Sequence, residues 1–423
     1  MSIQLLKRYM DEQKQESFKL DKIIMLVRYM RNKGLVYSES IMKALSMDSN
    51  ELEELLKFAK EKRIIKAEIS YECDDENYKA SIIEATCLYC DETIEKHDFD
   101  YMFALEEDFV TELEVMRQEI LNLLCDEKSL KNLNGLKNEL EHSVFFIGSG
   151  ISLPIGIPDW RGLIGDFLDK ITNSDDREYV TKILSDNGDI LKAVDILIDK
   201  GYQEKSEEFK RDVINYIQEK VTNGVDRARV HCYDELIDLN QTFIFTTNYD
   251  KLLMYYAVKK NIYLEEKLLS DINSMQDFMH SKTGCIINLH GTTNNERHMI
   301  LSTDDYENFY GDRDNLEKLS IMLNTKFFVF VGFSFKDKYF RDLYKKIQKF
   351  SSNRHYIIDF NKHEYDIKDF EDDNLRVINL KTHALTAFED AYTDALKVIL
   401  RYLNNTHEVE YYCLEKYIIH KIE

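Results

Sequence analysis

Both prolines of this chain, Pro154 and Pro158, and its only tryptophan, Trp160, fall in one short stretch. That stretch opens Gly148-Ser149-Gly150-Ile151-Ser152 and continues Gly156-Ile157-Pro158-Asp159-Trp160-Arg161-Gly162. Glycine permits close approach of the backbone to a ligand, and proline stiffens a loop. A chain with 14 glycines and 2 prolines that concentrates them here marks a candidate binding loop. The apolar run SVFFI leads into Gly-x-Gly, whose backbone N–H groups suit a pyrophosphate. The full G-x-G-x-x-G fingerprint is absent, so this segment alone reads equally as strand and turn. Asp159 and Arg161 then add a carboxylate and a guanidinium on the stiffened loop.

Three further apolar runs end in polar or glycine residues. TFIFT leads to Thr247-Asn248-Tyr249-Asp250, where Asn248 and Asp250 could both face a ligand. The plainer alternative makes Asp250 the cap of a following helix. CIINL leads to His290-Gly291, a histidine at a strand tip suited to general acid–base work. FFVFV leads to Gly332-Phe333-Ser334-Phe335, which offers a glycine and a hydroxyl. In a doubly wound sheet, ligands sit beyond the carboxyl ends of the strands, where these residues would lie.

The elements that must carry these residues follow from periodicity. From residue 143 onward, short runs rich in β-branched and aromatic residues alternate with helical stretches. One such stretch, DWRGLIGDFLDKIT, puts Trp160, Leu163, Ile164, Phe167, Leu168 and Ile171 on one face. Strands alternating with helices predict an α/β domain with a parallel sheet covered on both sides. Residues 1–85 predict three helices and a hairpin, the winged-helix order, with Asp48 or Ser49 capping the third helix. Residues 86–140 form a small CxxC-containing segment and a helical connector, and residues 141–423 form the remaining domain. A 423-residue chain accommodates two or three such units.

Composition excludes several functions. The formal net charge is -22, which opposes a general affinity for nucleic acid or anionic membrane. The third helix opens with Glu51, Glu53 and Glu54, which would repel phosphate. The first residues lack the apolar core of a signal peptide, and no stretch has the apolar length of a membrane span. Seven scattered cysteines fit a reducing cytoplasm. Cys87 and Cys90 form a lone CxxC, with Cys73 and His97 nearby. A zinc knuckle can be drawn from these four, but structural sites normally pair two ligand sets, and no second CxxC is present. The expectation is therefore no metal.

Taken in order, the four strand-end segments resemble the sirtuin family, over about residues 140–400. Ser149 stands where the family usually has alanine, and Trp160 where it has phenylalanine. The resemblance implies a sirtuin-like Rossmann fold that takes NAD. Gly148, Ser149 and Gly150, with Ser152 and Gly332, would line the dinucleotide, and Asp159 and Arg161 would sit on the mobile cofactor loop. Asn248 would hold ribose hydroxyls and position water, Asp250 the nicotinamide carboxamide, and Ser334 the adenosine side. His290 would be the acid/base. Sirtuin deacetylases carry two CxxC pairs after the His-Gly, and this chain has none there. Its TTNNERHMILSTDDYENFY stretch instead resembles the insert of bacterial sirtuin-like antiphage proteins that strip nicotinamide from NAD. The implied activity is NAD hydrolysis to nicotinamide and ADP-ribose, depleting NAD in abortive infection. A protein deacylase and a non-catalytic NAD or ADP-ribose sensor are the rival readings. A homo-oligomer, and a partner or phage trigger acting through the N-terminal region, follow by analogy.

Overall fold

The computed structural model describes residues 17–81, 85–186, 188–225, 230–333, 335, 338–349, 353–382 and 390–419. The chain divides into two compact units, residues 1–121 with 405–423, and residues 122–404. The sequence reading placed boundaries after residues 85 and 140. By contacts, the division falls after residue 121, and the last helix belongs to the first unit.

The first unit runs α1 (Ser17–Lys33), β1 (Val36–Tyr37), α2 (Ser38–Leu45), α3 (Ser49–Glu61), β2 (Ile65–Cys73), β3 (Glu76–Ala80), β4 (Phe99–Leu105), α4 (Glu107–Leu124) and, at the far end of the chain, the Thr406–Ile419 helix. Asp48 caps α3 in a reciprocal capping box with Glu51, as its position before an apolar periodic run predicts. The exposed face of α3 carries Glu51, Glu53 and Glu54. Helices, then a hairpin, follow the predicted winged-helix order. β4 was not read from the sequence, yet it lies between β1 and β2 in an antiparallel sheet of order β1-β4-β2-β3. The Thr406–Ile419 helix carries Glu410, which is fully buried and ion-paired to Arg31 and Arg117. Those partners lie hundreds of residues away in sequence, so local periodicity could not place this helix.

The second unit opens with α5 (Glu127–Asn138) and β5 (Ser143–Ile147), followed by a helical lobe. That lobe comprises α6 (Trp160–Gly165), α7 (Ser174–Ser185), α8 (Ile190–Tyr202), α9 (Ser206–Val225) and α10 (Tyr233–Asp238). The chain continues through β6 (Phe243–Thr246), α11 (Leu252–Lys259), β7 (Glu265–Leu268), α12 (Met275–Met279), β8 (Cys285–Asn288), α13 (Thr303–Gly311) and α14 (Arg313–Thr325). It closes with β9 (Phe327–Val331), α15 (Lys338–Gln348), β10 (His355–Phe360), α16 (Glu364–Asp372), β11 (Leu375–Leu380) and α17 (Ala391–Asn404).

The seven strands are all parallel, in the order β11-β10-β9-β5-β6-β8-β7. This is the Rossmann-like α/β sheet expected. Strand order reverses between β5 and β9, so the topological switch point lies beyond Ile147 and Val331. β5 is buried at every position, and Phe146, Phe245, Phe328 and Phe330 fill the core beside it. The lobe has its own core, in which Leu163, Ile164, Phe167 and Ile171 bury the face read from the sequence. Tyr249, Met299 and Leu301, from loops after β6 and β8, join that core and so hold the lobe over the strand tips. Among the described residues, no helix is long and apolar enough to cross a membrane.

Candidate functional site at the strand tips

Parallel pairing aligns Ile147 with Thr246 and Val331, and Thr246 with Asn288. The residues after each of these, including Gly148, Asn248, His290 and Gly332, therefore emerge along one edge. Neighbouring strands lie about 4.8 Å apart, so β5 and β8 are separated by about 10 Å in the sheet. The four sequence segments are brought together by topology, although they are scattered over nearly two hundred positions of chain.

The glycines have a first role that the sequence did not reveal. A Cβ on Gly148 would come within 2.3 Å of the Gly332 carbonyl oxygen, and one on Gly150 within 2.9 Å of the Gly332 Cα. Gly148 N–H donates to Val331 O at 2.9 Å, and Gly150 N–H to Gly332 O at 3.0 Å. The Gly-x-Gly turn thus lets β5 and β9 touch backbone to backbone at the switch point. Ser149 and Gly150 continue as a short 3-10 turn.

Beyond that turn, Ser152 is fully buried and organises the polar centre. Its hydroxyl donates to Asp250 Oδ2 at 2.8 Å. It accepts from Asn248 Nδ2 at 3.1 Å and meets the Tyr233 hydroxyl at 2.8 Å. A serine hydroxyl has one hydrogen and two lone pairs. With its hydrogen on Asp250, Tyr233 must be the donor in the last contact, and Ser152 is saturated. Asn248 Nδ2 also donates to Gly148 O at 3.1 Å, which uses both amide hydrogens. Asp250 Oδ1 accepts from the N–H of Leu252, the first residue of α11, at 3.2 Å, but the N-cap of that helix is Lys251, so Asp250 is not the cap that the plainer sequence alternative made it. Burial pushes the Asp250 carboxyl up from its ordinary range, against the hydrogen bonds from Ser152 and Leu252. A narrow crevice here is lined by Thr246, Asn248, Asp250, Glu266 and Asn288, among others. Asn288 Nδ2 donates to Glu266 at 3.2 Å, and Lys251 pairs with the same carboxylate at 2.9 Å. Ser152→Ala should leave three buried groups short of a partner, costing about 1–3 kcal/mol of stability. Urea unfolding compared with the wild type measures this; an unchanged midpoint would contradict the saturated geometry.

His290 is 1 % exposed. Its Nε2 lies 2.9 Å from the Tyr310 hydroxyl and its Nδ1 3.5 Å from that of Tyr306. Both tyrosines come from α13, one helical turn apart, and Phe309 adds an edge contact. Trp160 packs edge-on against Tyr249 and Tyr306, so the stiffened loop reaches toward the same aromatic group. Gly291 adopts φ +83, and a Cβ there would lie 2.1 Å from the His298 carbonyl oxygen. The glycine of His-Gly is therefore demanded by the 295–299 turn pressed against it.

Burial lowers the His290 pKa to about 3, so its imidazole is neutral at pH 7. Burial does the same to His355, also to about 3, where Phe328 N–H donates to Nδ1 at 3.0 Å. Each folded-state pKa lies below the unfolded value of about 6.5. The stabilisation is thus complete above pH 6.5 and is lost as pH falls toward 3, by at most roughly 5 kcal/mol per histidine. Denaturant midpoints should fall between pH 7.5 and pH 5, and His355→Gln should flatten that slope. A slope unaltered by His355→Gln would contradict the assignment.

Asp159 and Arg161, expected on the cofactor loop, make their hydrogen bonds within and beside that loop. Asp159 caps α6, accepting from Gly162 N–H at 2.9 Å. The Arg161 guanidinium donates to the carbonyls of Leu184 and Gly188 at the end of α7. Both fix the loop rather than joining the Ser152–Asn248–Asp250 cluster. Ser334 lies outside the described residues. Tyr233, Asn288, Tyr306 and Tyr310 were not read as site residues. Tyr306 and Tyr310 had a usable signal, two tyrosines four residues apart just after His-Gly; Tyr233 had none.

Residues 242–378 match the model of a family described as the SIR2-like domain. That match covers the Asn248, His290 and Gly332 segments and begins after the glycine turn. Over 310 residues the chain is 22% identical to NAD(+) hydrolase ThsA of Cytobacillus dafuensis, an alignment covering 66% of this chain and 55% of that protein. The chain spans about half the length of that curated relative.

Proposed function

We propose, from the premise that this chain carries a sirtuin-like domain, that it cleaves the nicotinamide–ribose bond of NAD and passes the ribose to water. The observation that carries this reading is the Ser152-centred network, which joins Gly148, Asn248 and Asp250 beside the switch point. The name of the ThsA relative points the same way.

In this reading the bond between the nicotinamide nitrogen and ribose C1′ breaks, and its electron pair neutralises the pyridinium. Positive charge builds on the ribose, and water adds to C1′ with loss of a proton. Asp250 orients the leaving carboxamide, holding it through hydrogen bonds that persist as the bond lengthens. Both Asn248 Nδ2 hydrogens are committed, so its Oδ1 is the atom that accepts from a ribose hydroxyl or from the attacking water. The neutral His290 imidazole accepts the proton that water loses. His290 reaches water only when Tyr306 and Tyr310 draw back, so the enzyme at rest is restrained by its own α13. Such restraint suits a cytoplasmic enzyme whose activity would deplete its host of NAD, as in antiphage defence. A trigger or a homo-oligomer acting through the N-terminal unit would release it.

The test is nicotinamide release from NAD by the purified chain, with and without an acylated peptide. Release that is independent of peptide supports hydrolysis. Release that requires the peptide makes the chain a deacylase, and binding without turnover makes it a sensor.

A further inference from the structure

We propose that Cys73, Cys87, Cys90 and His97 together bind one zinc ion, in a closed structural site within the first unit. The second ligand pair missing from the sequence pattern is supplied by the fold. Cys73 ends β2, opposite Glu76, at a two-residue turn in which Asp74 and Asp75 have φ 54 and 60. The 85–94 segment doubles back through a Thr86–Thr93 bridge, Cys87 N–H to Glu92 O and Ile94 N–H to Ala85 O. Cys87 and Cys90 sit at its tip, and Asp91, at φ 61, turns the chain back immediately after Cys90. His97 follows the 3-10 turn Ile94–Lys96. The four candidate ligand atoms all lie within 4.8 Å of one another. In a tetrahedral site with Zn–S near 2.3 Å, sulfurs sit about 3.8 Å apart, so only small side-chain shifts are required.

Two further contacts have the form that ligation needs. His97 Nδ1 lies 3.1 Å from the Thr93 carbonyl, which places the proton on Nδ1 and turns Nε2 toward Cys90 Sγ at 3.2 Å. A carbonyl on the outer nitrogen is how metal-bound histidines are oriented. Tyr89 N–H donates to Cys87 Sγ at 3.4 Å, as to a thiolate. None of the three cysteines is in a disulfide.

The segment also needs a staple. Between β3 and β4 its only described helix is one 3-10 turn, and the core beneath it has four fully buried members, Ile69, Tyr71, Cys87 and Ile94. So little apolar burial does not hold a long loop unaided, and a metal commonly does in small units. Three sulfurs and one imidazole select zinc over magnesium or calcium, and four protein ligands leave no open position for catalysis. The expectation of no metal, drawn from a lone CxxC, is the reading this geometry replaces.

The full chain, purified without chelator, should contain one equivalent of zinc by inductively coupled plasma mass spectrometry. Cys90→Ser and His97→Ala should lose zinc to a competing chelator more readily, by at least the roughly 10- to 100-fold cost of removing an outer-shell partner. His280→Ala, at an exposed histidine elsewhere, should retain it. Should those variants fail to fold, replacing zinc by cobalt in the wild type should give the intense d–d bands of a tetrahedral thiolate site. Wild-type protein that neither contains zinc nor gives those bands, or variants that hold zinc as tightly as the wild type, would overturn the proposal. The measurement involves no NAD, so its failure would leave the proposed activity untouched.

Discussion

His290→Ala is expected to reduce NAD cleavage at least about 10²-fold, the lower range for removing a general acid–base group. Asn248→Ala should do the same, for a different reason. Asn248 joins the Gly148 carbonyl to Ser152 and is the side chain with an acceptor atom left for ribose or water. A purely structural histidine would lower activity only in proportion to the protein that unfolds. The deciding readout is therefore turnover per folded molecule, with folding followed by circular dichroism. If folded His290→Ala turns over NAD at the wild-type rate, the imidazole has no part in the chemistry. Tyr310→Phe is a sharper companion, because it removes the hydroxyl 2.9 Å from Nε2 and keeps the ring. It should preserve the fold while loosening the cover over His290.

Among the substitutions proposed, the largest stability loss should come from Gly291→Ala. A Cβ there would meet the His298 carbonyl oxygen at 2.1 Å and carbonyl carbon at 2.5 Å, both backbone atoms that no rotamer change can move. The residue also has a positive φ of 83. Overpacking costs about 1–3 kcal/mol, and the left-handed backbone adds about 1 kcal/mol more, so a loss of about 2–4 kcal/mol is expected. Gly156 is the internal control. It has φ +86 with nothing within 4 Å of its added Cβ, so Gly156→Ala should cost only the backbone share, about 1 kcal/mol. Denaturant unfolding of the two variants separates clash from conformation. Equal losses would mean that the turn carrying His298 yields freely.

Much of the second unit was legible because its strands are fully buried and its ligand-facing residues follow them directly. SVFFI, TFIFT, CIINL and FFVFV read as strands, and each contains one, with Thr242 and Leu289 falling just outside. The helical face from Trp160 to Ile171 was correct in its buried residues, although the helix itself stops at Gly165. The reason for the glycines was not legible. Gly148 and Gly150 answer first to Gly332, a contact that exists only once β5 and β9 are neighbours. The partners of Arg161 were not legible for a similar reason, since a guanidinium beside a glycine-rich loop gives no sign that carbonyls at the end of α7 will accept from it. Non-local partners hid the rest. Glu410 joins Arg31 and Arg117 across most of the chain, whereas Cys73, Cys87, Cys90 and His97 were named together from the sequence and only their close spacing came from the hairpin.

A structure of the chain with ADP-ribose and nicotinamide, or a slow NAD analogue, would measure the central claim directly. The pyrophosphate is expected beside the 148–150 turn, the ribose within hydrogen-bond reach of Asn248, and Tyr306 and Tyr310 withdrawn from His290. A dinucleotide bound away from the β5–β9 switch point, with the imidazole still enclosed by both tyrosines, would contradict it.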